Sequence, residues 1–335
     1  MKTRLAAALL LAAAASAAAL EPPDPLAGAL AEARALVDAG RPAAAVEKLQ
    51  ALGRPDDPRV RHLMGVARYH ADAHLEAIEL LSPLVEAFPE GSLERREVVQ
   101  VLGLSYYLAG RLREAIPRLE ETQAWAAGNL ELSHVLGMAY IQTQQPEKAR
   151  ASLARTYEVP ADSAAAHLIT AQLMIRVELD EAAEAELKRA LEKDPRLPRA
   201  HFLLGQTALF RGRVEEAVAL LQRELELNPG DAMAYYRLGD AFIHRLEWDR
   251  AIDALQRSIW LNPFFSGPYI LLGRAYTQKG QPATAEGMLR QAIAYDPNNR
   301  AAHYMLGQLL QRSGRLEEAQ RELELADRLK EQTGR

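Results

Sequence analysis

Apolar residues along this chain fall three and four apart, the spacing that places them on one face of an α-helix. In Ser266–Asn299, the residues Tyr269, Leu272, Gly273 and Tyr276 make one such stripe, and Ala285, Leu289 and Ala292 make a second. Pro297 closes the stretch. The pattern predicts two short amphipathic helices joined by a tight turn and ended by a helix breaker. Strand-favouring runs of valine, isoleucine and aromatics are scarce, and alanine, leucine, glutamate and arginine dominate, so the chain reads as all-helical.

The pattern repeats every 34 residues. Stepping by that interval gives Gly103, Gly137, Ala171, Gly205, Gly239, Gly273 and Gly307, a small residue each time. The same step gives Ala115, Ala149, Ala183, Ala217, Ala251, Ala285 and Ala319, and then Pro195, Pro229, Pro263 and Pro297. Numbered within one unit, these are positions 8, 20 and 32. Glycine inside a helix costs about 1 kcal/mol relative to alanine. Recurrence of that cost in one phase implies that position 8 is where the second helix must come close, with the alanine of position 20 facing the same contact. Gly110, Gly212 and Gly314, near position 15, are placed to end the first helix.

The aromatic residue, the Leu-Gly pair, the tyrosine, the alanine and the closing proline of Ser266–Asn299 together resemble the tetratricopeptide pattern. The resemblance implies an all-α, right-handed superhelical solenoid of about nine antiparallel helix pairs, a fold of scaffolds rather than enzymes. The expected layout is a signal peptide at 1–19, a tether at 20–25, a degenerate repeat at 26–57, a repeat at 58–91, an insertion at 92–95 and seven contiguous repeats over 96–333. Little sequence remains for a catalytic domain. The last repeat ends close to Arg335 without an evident capping helix, which makes self-association the second reading: a structural or assembly subunit of an export, pilus or enzyme complex.

The signal-peptide expectation rests on Lys2 and Arg4, the apolar run that follows from Leu5, small residues at Ala17 and Ala19, and the helix-breaking Pro22-Pro23-Asp24-Pro25. The apolar run is shorter than the roughly 20 residues of a membrane span. The expected location is therefore periplasmic or extracellular, with no membrane span after cleavage. The chain has no cysteine, which excludes disulfides, thiolate-bound zinc and thiol catalysis. Its net charge is −5 with both signs interspersed, and no basic block argues for nucleic acid.

Candidate chemistry is sparse. His70 and His74 are four apart but flank Asp72 at a turn position, so the pair is expected to straddle two helices. His167, His201 and His303 all fall at position 4, where other units carry Tyr235 and Tyr269, and read as packing residues. No phosphate loop, zinc-protease helix or nucleophile elbow is present, and neither a metal, a cofactor nor a catalytic residue is assigned. In the family the sequence resembles, positions 2, 5, 9, 12 and 13 of the first helices line a concave groove that touches a protein or peptide partner. That resemblance assigns partner contacts to Leu104, Tyr107, Met138 and Ile141, then to Leu168, Gln172, Ile175 and Arg176. It adds Phe202, Gln206 and Phe210, followed by Tyr236, Asp240, Ile243 and Arg274. Such a groove is apolar and aromatic in its middle, fit for an extended peptide or an amphipathic helix. Chaperone-binding members carry lysine at position 5 and asparagine at position 9 to clamp a terminal carboxylate. Here those positions hold Gln100 and Leu104, His134 and Met138, or Phe202 and Gln206, so that clamp is absent.

Overall fold

The computed structural model describes residues 25–333, and these form eighteen α-helices and no strand. The expected signal segment and tether lie outside the described residues, except that Pro25 already opens the first helix. The chain divides into two compact units that meet in sequence between Val177 and Glu178. The first unit holds α1 (Pro25–Asp38), α2 (Pro42–Ala51), α3 (Pro58–His70), α4 (His74–Leu81), α5 (Leu93–Leu108), α6 (Leu112–Trp125), α7 (Leu130–Gln142), α8 (Pro146–Thr156) and α9 (Ala164–Arg176). The second holds α10 (Asp180–Lys193), α11 (Ala200–Phe210), α12 (Val214–Leu227), α13 (Ala232–His244), α14 (Trp248–Leu261), α15 (Ser266–Gln278), α16 (Pro282–Tyr295), α17 (Arg300–Arg312) and α18 (Leu316–Thr333). Within each unit, helices that follow one another pack side by side, and successive first helices also touch, as α13 does α15. Odd-numbered helices are the first of each repeat and even-numbered ones the second.

The position-8 glycines sit where the helix pairs cross. A Cβ on Gly239 would stand 2.6 Å from Leu255 Cγ, and one on Gly273 would stand 2.6 Å from Leu289 Cγ. The leucine that occupies this space is always sixteen residues on, at position 24. Leu255 and Leu289 are fully buried, as are the position-20 alanines Ala251 and Ala285. The small residues thus exchange side-chain volume on one helix for a leucine from the other, at the interior density that tolerates neither void nor overlap.

Local signals fix the ends. Asn129, Ser163, Asp231 and Asn299, at position 34, each accept a hydrogen bond from a backbone N–H in the first turn of the helix that follows. The turns inside the repeats use the left-handed region at Gly110, Gly212, Gly280 and Gly314, and Leu246 adopts the same conformation, with φ 58°, at that position in its own repeat. The four residues read as an insertion do not form a separate loop. Ser92 caps α5, and Leu93–Arg95 are its first turn, lengthening that helix to 16 residues.

One helix start departs from the repeat. The residue due to cap α11 is Leu197, which has no side-chain acceptor, and the helix begins two residues late at Ala200, after Arg199 with φ 69°. Its cap comes from the neighbouring helix. The Glu224 carboxylate accepts from Arg199 N and from Phe202 N, both at 3.1 Å, and Glu224 is 0% exposed. A buried carboxylate is tolerated where N–H groups and the positive end of a helix dipole satisfy it.

In the first unit, a partly buried ion pair reaches across three first helices. Arg34 on α1 donates to both Glu97 oxygens on α5, at 2.6 and 2.5 Å, and His62 Nε2 on α3 lies 2.9 Å from Glu97 Oε2. Burial alone would raise the Glu97 pKa, but the close contact with His62, the hydrogen bonds from Arg34 and the Arg34 charge outweigh it and hold the carboxyl down at about 2.

Candidate partner-binding surface

Among the expected contact residues of the first unit, Leu104, Tyr107, Met138, Leu168, Gln172 and Ile175 are partly exposed and Arg176 is exposed, all on α5, α7 and α9. Burial raises the Tyr107 phenol pKa, and burial together with the Arg176 charge lowers that of His134. Ile141 is an exception: it is 0% exposed.

In the second unit, Gln206, Tyr236 and Asp240 are partly exposed, Arg274 is exposed, and Phe210 is 76% exposed. Ile243 is 0% exposed and Phe202 is 4% exposed, so neither offers a surface. Position 12 lies four residues after the position-8 glycine and is buried in the repeats of Ile141 and Ile243, whereas Tyr107 and Ile175 at the same position stay partly exposed. Ile141 follows Gly137 and Ile243 follows Gly239 in this way. Phe202 sits in the first turn of α11, where its N–H is tied to buried Glu224 and the Arg199 guanidinium lies 5.7 Å from its ring centre. These three residues belong to the packing of the helices and drop out of the expected contact set.

The structure adds a residue that the family positions omit. Arg237, at position 6 of α13, places its guanidinium 5.1 Å from the centre of the Tyr236 ring and 5.8 Å from that of Phe210 on α11. Tyr236 meets Phe265 edge to face at 4.9 Å. Asp240 Oδ2 is 4.0 Å from Arg237, and His244 Nε2 is 3.8 Å from Asp240. Burial raises the Tyr236 pKa, the Arg237 charge pulls it back, and Asp240 adds to the rise. The result is a cationic edge set into an aromatic surface, a combination suited to holding a side chain that is both apolar and acidic, or neighbouring side chains of each kind. Spacing alone could have found Arg237, since position 6 is three residues before position 9 and shares its face. The stacking on Phe210 depends on the neighbouring helix and has no signature within α13.

His70 and His74 close α3 and open α4 on opposite sides of the turn, and His167 and His303 are buried between helices. His303 is held by Glu322 at 2.6 Å and by the Pro297 carbonyl at 2.9 Å. Among the described residues no cluster of histidine, aspartate and glutamate is arranged to hold a metal ion. Two open hollows lie elsewhere on the surface. One, of about 530 Å³, is lined by Glu120, Tyr140, Lys148 and Arg155, with the Tyr140 hydroxyl donating to Glu120 at 2.5 Å. The other, of about 480 Å³, is lined by Glu181, Glu184, Arg211 and Arg213. Glu184 there is held near pKa 2 by hydrogen bonds from Arg213 and Lys188. In the second hollow two carboxylates balance two arginines, and in the first Lys148 pairs with Glu120 while Arg155 donates to Gln123. No helix among the described residues is long and apolar enough to cross a membrane.

Comparison with known proteins agrees with the repeat. No curated protein matches the chain. Among solved structures, MamA resembles it at 29% identity with a TM-score of 0.43, over 46% of this chain and 91% of that one. A MamA from Desulfovibrio magneticus RS-1 does so at 23% identity and a TM-score of 0.47, over 51% and 97%. YrrB, described as a TPR protein with an unusual peptide-binding site, does so at 21% identity and a TM-score of 0.45, over 55% and 93%. One tetratricopeptide repeat family model matches residues 106–173 and 276–333, and a second matches 30–92, 180–232 and 202–264, so that together they account for most of the described residues. With the glycine–leucine crossings and the helix pairs in the same register, the chain belongs to the tetratricopeptide repeat family.

Proposed function

We propose that this protein is a non-catalytic scaffold that holds a peptide or helix of a partner protein against the exposed faces of its first helices, and that it works in the cell envelope. Repeats of this family generally mediate protein–protein contacts, and that much follows from membership. The finer reading is carried by one observation: large apolar side chains stand exposed on the first-helix face. Phe210 leads them, and Met233 and Tyr304 belong to the same set in the second unit, as Leu108 does in the first. Water-facing aromatic and aliphatic groups on a face that a folded chain could have made polar mark a contact surface. The envelope assignment rests on the signal-like N-terminal sequence.

The test is capture from an envelope extract. Wild-type protein is expected to retain a partner that Phe210→Asp loses, with helical circular dichroism unchanged. Capture by Phe210→Asp at the wild-type level sinks the surface assignment. Mass spectrometry of protein purified from cells is expected to give a mature N-terminus near residue 20, and an intact Met1 terminus in a cytosolic fraction sinks the envelope assignment.

A further inference from the structure

We propose that the first-helix face of the second unit selects an acidic segment of its partner, with Arg237, Arg274 and Arg312 as the selecting groups. This deepens the scaffold reading above and rests on it. Charge in this unit is sorted by helix. The first helices α11, α13, α15 and α17 together carry four arginines, one aspartate and no lysine or glutamate. The second helices α12, α14, α16 and α18 carry thirteen carboxylates against seven cations. A chain of net charge −5 thus keeps a positive stripe on one set of helices only.

Ion pairs concentrate in and around the second helices, although Arg257, Arg321 and Arg328 there pair with no carboxylate among the described residues. In and around the second helices, Arg213, Arg250, Arg290 and Arg315 are each ion-paired, at distances of 2.5–2.8 Å to Glu184, Glu247, Glu286 and Glu318. On the first-helix face, no carboxylate among the described residues pairs with Arg274 or Arg312. Arg237 has only Asp240, at 4.0 Å, and its Nε is buried with no hydrogen-bond partner. Positions 6, 9 and 13, which these three arginines occupy, lie along one helical face. Guanidinium groups that the fold leaves with few carboxylates, Arg237 among them beside exposed Phe210, form a surface complementary to carboxylates interleaved with apolar side chains. A polynucleotide fits less well. It brings a phosphate with every nucleotide, so three cations on a net-negative protein would meet mostly repulsion.

The probe is a fluorescein-labelled peptide of glutamates with a leucine at every third residue, beside a twin in which glutamine replaces each glutamate. Binding is read by fluorescence anisotropy to the full-length protein. The glutamate peptide is expected to bind at least about tenfold more tightly than its twin, the scale of one or two charge-assisted hydrogen bonds. Added salt should narrow that gap. The combined variant Arg237→Gln, Arg274→Gln and Arg312→Gln is expected to bring the glutamate peptide down to the level of the twin. Phe210→Asp should weaken both peptides.

Equal binding of the twins overturns acid selection, as does binding of neither, or a glutamate preference that survives the triple substitution. Tighter binding of an oligothymidylate of equal charge overturns it in favour of nucleic acid. An oligomer of the unliganded protein that the triple substitution dissociates overturns it in favour of a second copy. If the twins bind alike yet Phe210→Asp still weakens both, only acid selection fails. If Phe210→Asp changes neither peptide binding nor partner capture, the surface reading fails with it.

Discussion

Replacing Gly239 by alanine sets two ordinary effects against each other. Alanine favours the helix over glycine by about 1 kcal/mol. Its methyl group would lie 2.6 Å from Leu255 Cγ and 2.7 Å from Cδ2, where carbon atoms at rest keep about 3.5–4.0 Å. Leu255 must therefore retreat by about 1 Å, and it is fully buried, so α14 or its neighbours must move with it. Overpacking of this kind costs about 1–3 kcal/mol. Gly287, in the middle of α16, supplies the reference: a Cβ there meets nothing within 4 Å. Gly287→Ala gains the same propensity with no steric cost, so the propensity contribution cancels between the two variants. In urea unfolding followed by circular dichroism, Gly239→Ala is expected to be about 1–3 kcal/mol less stable than Gly287→Ala. Leu255→Ala, which should cost about 2–5 kcal/mol on its own, is expected to cost less in the Gly239→Ala background, because the added methyl then fills part of the cavity. Equal stability of the two glycine variants, or additive effects of Gly239→Ala and Leu255→Ala, would refute the claim that position 8 is small to admit the leucine of position 24.

Two further predictions concern charge. Glu224→Ala leaves the N–H groups of Arg199 and Phe202 buried without their acceptor and is expected to lower stability by about 2 kcal/mol, whereas the same change at exposed Glu215 should fall within about 0.5 kcal/mol of wild type. The Glu97 carboxyl, held at about 2 against an ordinary 4.5, binds its proton more weakly in the folded protein than in the unfolded chain. Its contribution is therefore complete above about pH 5 and is lost as the pH falls toward 2, so Glu97→Gln should flatten the acid limb of a stability–pH profile and leave the slope near neutrality unchanged.

The repeat was legible because packing demands the same residue types at the same positions in unit after unit. Glycine and alanine at positions 8 and 20 and proline at 32 mark the crossings and the breaks in the sequence itself. The late start of α11 was less legible, although its cause is visible once sought: Leu197 stands where a capping side chain is due. The substitute cap, Glu224, is a tertiary arrangement and leaves no local trace. Contact residues suffered from a similar limit. Assigning positions 2, 5, 9, 12 and 13 as a block passed over differences in packing between repeats, which bury Ile141 and Ile243 but leave Tyr107 and Ile175 at the same position partly exposed. It also missed Arg237, whose significance comes from a ring on the first helix of the preceding repeat and from carboxylates that several other arginines have and it largely lacks.

The crossing of Gly239 with Leu255 joins residues only sixteen apart, and the same separation holds for Gly273 with Leu289 and Gly307 with Leu323. Contacts so near in sequence require little loop closure, whose entropic cost rises with the length enclosed. Each helix pair can thus gather its most demanding contact before the next pair has been made. A chain built this way is expected to fold quickly for its length, with nucleation open to any sufficiently stable pair and propagation passing between neighbours. The glycine that weakens each first helix as an isolated segment is then also what lets the pair close early, during synthesis, from the N-terminal end onward.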